Sequence, residues 1–268
     1  MTGIAASARQ WRPPHLIANR WLRLGIIVGA AAWLVLALGS VNVNWVRLLG
    51  GMAHGARFFS GFLHPDFVSR RDDIMQGMIE SLTMTVTSTA LGIVLSIPIG
   101  IGAARNLAPR AVYYLCRAII AVSRSLQEII VAILFVAMVG FGPFAGFLTL
   151  SFATIGFLAK LLAEDIEDID PAPVEAIRAT GAGGASLLAF AVLPQVAPRL
   201  IGLSLYRLDI NFRESAVVGI VGAGGIGATL NTAIERYEFG SAAAVLILII
   251  GIVMASEYVS GIVRKRLQ

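Results

Sequence analysis

Residues 242–263 read AAAVLILIIGIVMASEYVSGIV, with Glu257 as their one charged side chain. A helix needs about 20 mostly apolar residues to cross roughly 30 Å of hydrocarbon, and this run supplies them. The rest of the chain has the same character. Its 268 residues are 57% hydrophobic and 14% charged, with a mean hydropathy of +0.81. A soluble domain carries roughly 25% charged and 45–50% apolar residues. A water-soluble fold could not cover this much apolar sequence with so few charges. Disorder is excluded on the same ground. The one cysteine, Cys116, excludes a disulfide framework and any multi-cysteine metal site. The net charge of +5 and pI of about 9.9 fit basic flanks at a membrane face, with no need for nucleic acid.

Working outward from that run, five further stretches are long and apolar enough to span: about 24–38, 79–104, 115–139, 144–162 and 198–218. The first does not read as a secretory leader, because a long arm precedes it and no A-x-A site follows. Continuous alternation of the β-barrel kind is absent, which leaves helices. The sequence therefore predicts an all-α polytopic membrane protein with about six transmembrane helices. Arg9, Arg12, Arg20 and Arg23 precede the first span. Arg105, Arg110 and Arg117 lie between the second and third, and Arg264-Lys265-Arg266 closes the chain. With six spans these fall on one side, which predicts both termini in the cytoplasm. The loop at 40–77 carries Arg47, Arg57, Arg70 and Arg71 against this trend. The expected organisation is 1–72 as N-terminal arm, first span and outer loop, and 73–268 as the transmembrane domain.

The most specific signal is in the inner loop at about 164–198. From 164 to 202 it reads EDIEDIDPAPVEAIRATGAGGASLLAFAVLPQVAPRLIG. Pro171 and Pro173 end the preceding helix, and Pro173 also suits the first turn of a new one. The stretch 174–180 predicts a short helix closed by Gly181, and a second short helix from about Ser186 is expected to stop at Pro194. Two short helices around a glycine elbow make an exposed knob suited to docking in a partner's groove. The acidic run 164–170 reads as a solvated linker facing a basic partner.

This loop resembles the "EAA" loop of permease subunits of bacterial ABC importers. Glu175-Ala176-Ile177, Gly181 and Leu193-Pro194 stand at the matching spacings, with Ile177 and Ala191 as departures. The segments GFGPFAG at 140–146, GFLAKL at 156–161, LYR at 205–207, NFRE at 211–214 and VGIVGAGGIG at 218–227 resemble the phosphonate-permease (PhnE-type) branch. That resemblance covers about residue 74 to the C-terminus. Gln127 stands before Glu128 where the family pattern leads to proline, a departure that bears on a kink or on substrate preference. The resemblance implies a type I importer bundle (MetI-like) in the bacterial inner membrane. It implies transport of phosphonate or a related phosphorus oxyanion. It implies three protein partners: an ATP-binding ABC subunit, a periplasmic substrate-binding protein and a second copy of the chain. It also implies that Glu175, Ala176, Gly181, Leu193 and Pro194 couple to the ATPase, and that ATP and Mg are held there, with no cofactor in this chain.

Ionisable residues inside a span cost roughly 2.5–3.5 kcal/mol each and usually face the bundle interior or a wet cavity. In the third span Arg124, Gln127 and Glu128 lie at i, i+3 and i+4, which predicts one shared helical face near the midplane. In the fifth, Arg207, Asn211 and Glu214 form one stripe, and Asp209 and Arg213 another on nearly the opposite side. The expected pathway residues are Arg124, Glu128, Arg207, Asn211, Arg213 and Glu214, since arginine suits phosphorus oxyanions. The competing reading is that Arg124–Glu128 and Asp209–Arg213 are internal salt bridges.

Gly222, Gly224, Gly225 and Gly227 fit G-x-G-x-x-G literally. A nucleotide site needs a strand before it and a βαβ unit around it, and neither is indicated. The better reading is a hinge or gate at the outer end of the fifth span. No Walker A sequence, H-E-x-x-H or G-x-S-x-G is present, so no catalytic residue is expected; His15, His54 and His64 are scattered. Alternatives are a permease for another small solute such as an amino acid, or a stand-alone carrier. The latter lacks the paired internal repeats carriers show.

Overall fold

The computed structural model describes residues 19–40, 50, 51, 55 and 59–267. Arg9, Arg12, His15, Arg47, His54 and Arg57 lie outside the described residues, as do the side chains of Arg264, Lys265 and Arg266. The described chain is helical, with no strand among its residues. It divides into two compact units, residues 1–57 and 58–268.

The first unit contains α1, Arg20–Ser40, none of whose residues is buried. Trp21, Ile27, Trp33 and Leu36 present apolar surface on all sides of it. A helix hydrophobic all round is a deep core helix or a membrane span, and the length and hydropathy of α1 suit a span.

The second unit holds α2 (Arg71–Gly102), α3 (Arg110–Ser125), α4 (Glu128–Val139), α5 (Pro143–Glu167), α6 (Pro171–Ala179), α7 (Gly184–Leu187), α8 (Leu193–Val218), α9 (Gly225–Glu235) and α10 (Phe239–Leu267). Among the described residues, five helical runs, α1 included, are long and apolar enough to cross a membrane, and α3 with α4 makes a sixth as one bent span.

Part of the packing within the unit is inverted relative to a soluble protein. Along α2 the buried positions from Thr85 onward are small or hydroxylic (Thr85, Ser88, Thr89, Gly92, Ser96, Gly100 and Gly102), whereas Ile74, Met78 and Met84 are buried in its first part. Its outward positions include Ile79, Leu82, Val86 and Val94. Lipid is as apolar as leucine, so helices associate through close packing of small residues. The seam with α5 is tight. A Cβ at Gly92 would lie 2.3 Å from Thr154 Cγ2, and one at Gly100 would lie 2.9 Å from Leu162 Cδ2.

The structure changes three sequence expectations. The third span is not one helix. Leu126 (φ −101°, ψ 134°) and Gln127 (φ −76°, ψ 144°) are extended, and α3 and α4 diverge by 97°. Arg124, Gln127 and Glu128 therefore do not share a helical face. The halves pack on different parts of α5: Cys116 and Ile120 against Ala159 and Ala163, and Ala132 against Ala145. The polar run 123–128 offers no apolar face that would hold the two halves in line. The bend forms here with glutamine, where the resemblance leads to proline.

Pro194 does not stop a helix either. Leu188–Val192 forms a π turn, in which the Leu193 N–H reaches the Leu188 carbonyl. The wider turn carries the chain past Pro194, whose missing N–H and bulky ring would break an α ladder. Lastly, the acidic run is a solvated linker only at its end: residues 164–167 continue α5, while Glu167, Asp168 and Asp170 are exposed. Lys160 pairs with Glu164 at 3.6 Å, Arg199 with the buried Asp165 at 3.1 Å, and Arg117 with Glu167 at 2.9 Å. Asp170 caps α6 by accepting from the Ala172 N–H at 3.0 Å. Three of its five acidic residues thus find basic partners within the chain.

Candidate functional site

The loop between α5 and α8 folds into the knob. Pro171 occupies the first turn of α6, and the Asp170 cap fixes where the helix begins. Gly181 ends it at φ +74°, and no atom lies within 4 Å of where its Cβ would be. Only backbone conformation requires glycine there. Val174, Leu187 and Ala191 form a small core beneath the knob, with Leu107, Ile169 and Ile177 against it. Glu175 and Ala176 face outward, as do Leu193 and Pro194. Phe190 is 71% exposed beside them. Gln195 ties the base: it accepts from the Asp170 N–H at 3.0 Å and donates to the Ala191 carbonyl at 2.8 Å. Gln195 and Phe190 were not singled out from sequence, since neither belongs to a recognisable pattern.

Midway along the bundle the structure gathers a polar cluster from three helices. Asn211 of α8 is fully buried and donates to Thr89 of α2 and Thr154 of α5, both at 2.8 Å. Arg207, one turn earlier, is 3% exposed and donates from Nε to Thr154 Oγ1 at 3.2 Å. Its guanidinium lies over the Phe157 ring, 5.4 Å from the centroid. Glu128 Oε1 is 3.7 Å from Arg207 Nη2, an ion pair longer than a hydrogen bond. The threonines were missed in the sequence. The one signal was the hydroxyl-rich stretch 83–89, TMTVTST, inside a span.

The sequence-predicted pathway residues thus separate. Arg124, Gln127, Glu128 and Arg207 line one pocket of about 400 Å³, together with Ser123, Ser125 and Phe157. Asn211 is a brace behind it. Glu214 is half-buried on the same stripe of α8. Arg213 is exposed and pairs with Asp209 at 3.4 Å, and Asp209 also accepts from Ser256 of α10. The Asp209–Arg213 salt bridge is present; the Arg124–Glu128 one is not, because Glu128 turns to Arg207 across the bend.

At the far end from the knob, α8 breaks at the glycines. Gly222, Gly224 and Gly225 have φ of 95°, 76° and 73°, which let the chain reverse into α9. Gly227 is required by contact, since its Cβ would lie 1.9 Å from the Ala216 carbonyl oxygen. The free N-terminus of α9 is capped from α2. The Gly225 N–H donates to Glu80 Oε2 at 3.0 Å and the Ile226 N–H to Ser81 Oγ at 2.9 Å. Nearby, Arg70 binds Glu238 with two hydrogen bonds, one of them 3.2 Å from Nη2 to Oε1. Those bonds hold the Glu238 carboxyl below the ordinary carboxylate range.

Comparison with known proteins bears on this arrangement. The family of binding-protein-dependent transport system inner membrane components matches residues 96–268. The phosphate-import permease protein PhnE of Mycolicibacterium smegmatis is 43% identical over 244 residues, covering 91% of this chain; the chain spans 45% of that relative's length. The phosphite transport system permease protein PtxC of Stutzerimonas stutzeri is 38% identical, covering 91% of this chain and 90% of the relative. Among solved structures, the inward-facing MetNI methionine ABC transporter superposes with a TM-score of 0.64 at 25% identity, covering 73% of this chain and 96% of that one.

Proposed function

The chain belongs to the family of binding-protein-dependent transport system inner membrane components, and on that premise we propose that it is the permease subunit of an ATP-driven importer of phosphorus oxyanions. The observation that carries the coupling half of this reading is the knob. Glu175 and Ala176 stand outward on a short helix that has its own small core. That is the form of a surface meant for a groove on another protein. An ATPase subunit docks there, on the cytoplasmic side, and holds the ATP and Mg. Both termini lie on that side of the inner membrane. A substrate-binding protein delivers ligand at the opposite end, where the Gly222–Gly227 break acts as the gate.

The substrate class is supported by the relatives for phosphate and phosphite, and by the two arginines at the bend. Arg124 is exposed in the single chain although it sits midway along the bundle. A charge at that depth needs a polar neighbour, which a second copy around a shared wet pathway supplies. Closure of the two ATPases then pushes the knobs together and rocks the bundles to alternate access.

The test is reconstitution of the chain with its ATPase and binding protein in proteoliposomes. Phosphite, methylphosphonate, phosphate and methionine are offered in turn. Stimulated ATP hydrolysis and uptake with a phosphorus oxyanion is expected. Stimulation by methionine alone would move the chain to the amino-acid reading, and failure of an ATPase to co-purify would remove the coupling assignment.

A further inference from the structure

We propose that the bend between α3 and α4 is an intramembrane site for a tetrahedral phosphorus oxyanion, and that Glu128 occupies Arg207 as a stand-in until the ligand displaces it. The proposal rests on the importer reading above and adds a binding site and a displacement step to it.

Arg207 is the first observation. Its side chain is almost wholly buried, lines the pocket, and has no hydrogen-bond partner for Nη2. Buried charges are normally paired and fully hydrogen-bonded, because desolvation is otherwise uncompensated. Glu128 compensates charge from 3.7 Å without donating or accepting across a short bond. Thr154 fixes Nε from one side and Phe157 supports the guanidinium face. The fork is held in place, and one of its donors is left unused.

The α4 N-terminus is the second. Gln127 enters the helix with extended backbone and no side chain caps it. The first N–H groups of a helix attract anions, and their partial positive charge lies at the pocket. The broken span matters here. A continuous helix would bury those donors in its own ladder, whereas the bend brings them out at mid-depth.

The third observation concerns charge. Arg124 and Arg207 are offset by Glu128 in the pocket and by Glu214, within electrostatic reach on α8. The resting site is close to neutral. An added anion would be repelled unless a carboxylate leaves. Glu128 is the one that can go: it sits at the first position of α4 and is partly exposed. A phosphorus oxyanion offers guanidinium the same acceptors as a carboxylate, with a further oxygen for Arg124 or the α4 N–H groups. About 400 Å³ is within the range of roughly 300–1,000 Å³ seen for small-ligand pockets.

The experiment uses the full chain purified in lipid nanodiscs, with phosphite and methylphosphonate as probes followed by ³¹P line broadening. Glu128→Gln removes the competing charge and is expected to tighten binding on the order of tenfold. Arg207→Lys keeps the charge but loses the fork, and is expected to weaken binding on the order of tenfold. Opposite signs are the signature, because a merely structural ion pair would weaken binding in both variants. Changes of the same sign, or none, overturn the proposal. If Arg207→Lys does not yield a monodisperse protein, Glu128→Gln decides alone, and failure to tighten refutes the site. Uptake of phosphite by the reconstituted wild-type complex beside a null result here would leave the importer reading standing and remove only this site.

Discussion

The knob and the bend pocket are built in opposite ways. The knob comes from one continuous stretch, about 168–195, with its own core and an outward face whose Glu175 and Ala176 no helix of the bundle covers. The pocket comes from α3, α4, α5 and α8, and its wall is shared with the polar cluster that ties α2, α5 and α8 together. The difference is one of separability. On the proposed reading, a change on the knob alters ATPase docking alone. A change at the pocket would, on that reading, alter ligand binding and the packing of the bundle together.

The largest effect is expected at the knob. Gly181→Val forces a β-branched residue into φ +74° where space is open, so the cost is backbone strain of about 1–2 kcal/mol confined to the loop. Transport and ATPase co-purification should be lost while insertion and thermal stability hold. A fall in stability matching the fall in transport would break the comparison. Asn211→Leu tests the other side. It leaves the hydroxyls of Thr89 and Thr154 without their shared donor and should cost about 1–3 kcal/mol, read as a lower melting temperature in detergent. Unchanged melting would make the cluster dispensable for packing. Next, Arg124→Leu should lower phosphite uptake several-fold, whereas exposed Arg213→Leu should change it by about twofold or less. Equal losses would place Arg213 beside Arg124 in the pathway.

Much of the first site was legible because its signals are local. Proline and glycine set the ends of α6, and the resemblance to the importer permeases' loop picked out Glu175, Gly181 and Leu193-Pro194. The pocket was legible only in part. Arg124, Glu128 and Arg207 stood out as charges inside spans, yet their partners did not. Periodicity assigned Glu128 to Arg124 along one helix, and the bend gave it to Arg207. Thr154 carries no pattern that marks it before α5 is seen to pack there, and Phe157, though inside the GFLAKL segment, carries nothing that points it at Arg207.

The smallest effect concerns the end away from the knob. Glu238 has its folded pKa lowered by Arg70, so the stability it contributes is present above the ordinary carboxylate range and is lost as pH falls through the lowered value. Acidification below about pH 4 should loosen the junction of α9 and α10 with α2, read by hydrogen exchange at 236–241. Glu238→Gln should reduce that acid dependence and leave the knob and the pocket unaffected. The remaining share is carried by Asp66, whose carboxyl is lowered by its bonds to Ser69 and Val68 and whose N–H donates to the Gly240 carbonyl.

The sequence by itself determined that this is a multi-span helical membrane protein with a short helical loop before its last spans. Hydropathy, charge placement and turn residues are properties of neighbouring positions, and lipid leaves a backbone few other choices. Only the tertiary structure decided where the third span breaks, how the chain passes Pro194, and which carboxylate meets which arginine. Those outcomes depend on contacts between helices distant in sequence. A few kcal/mol of packing and charge pairing outweigh helix propensity at such positions.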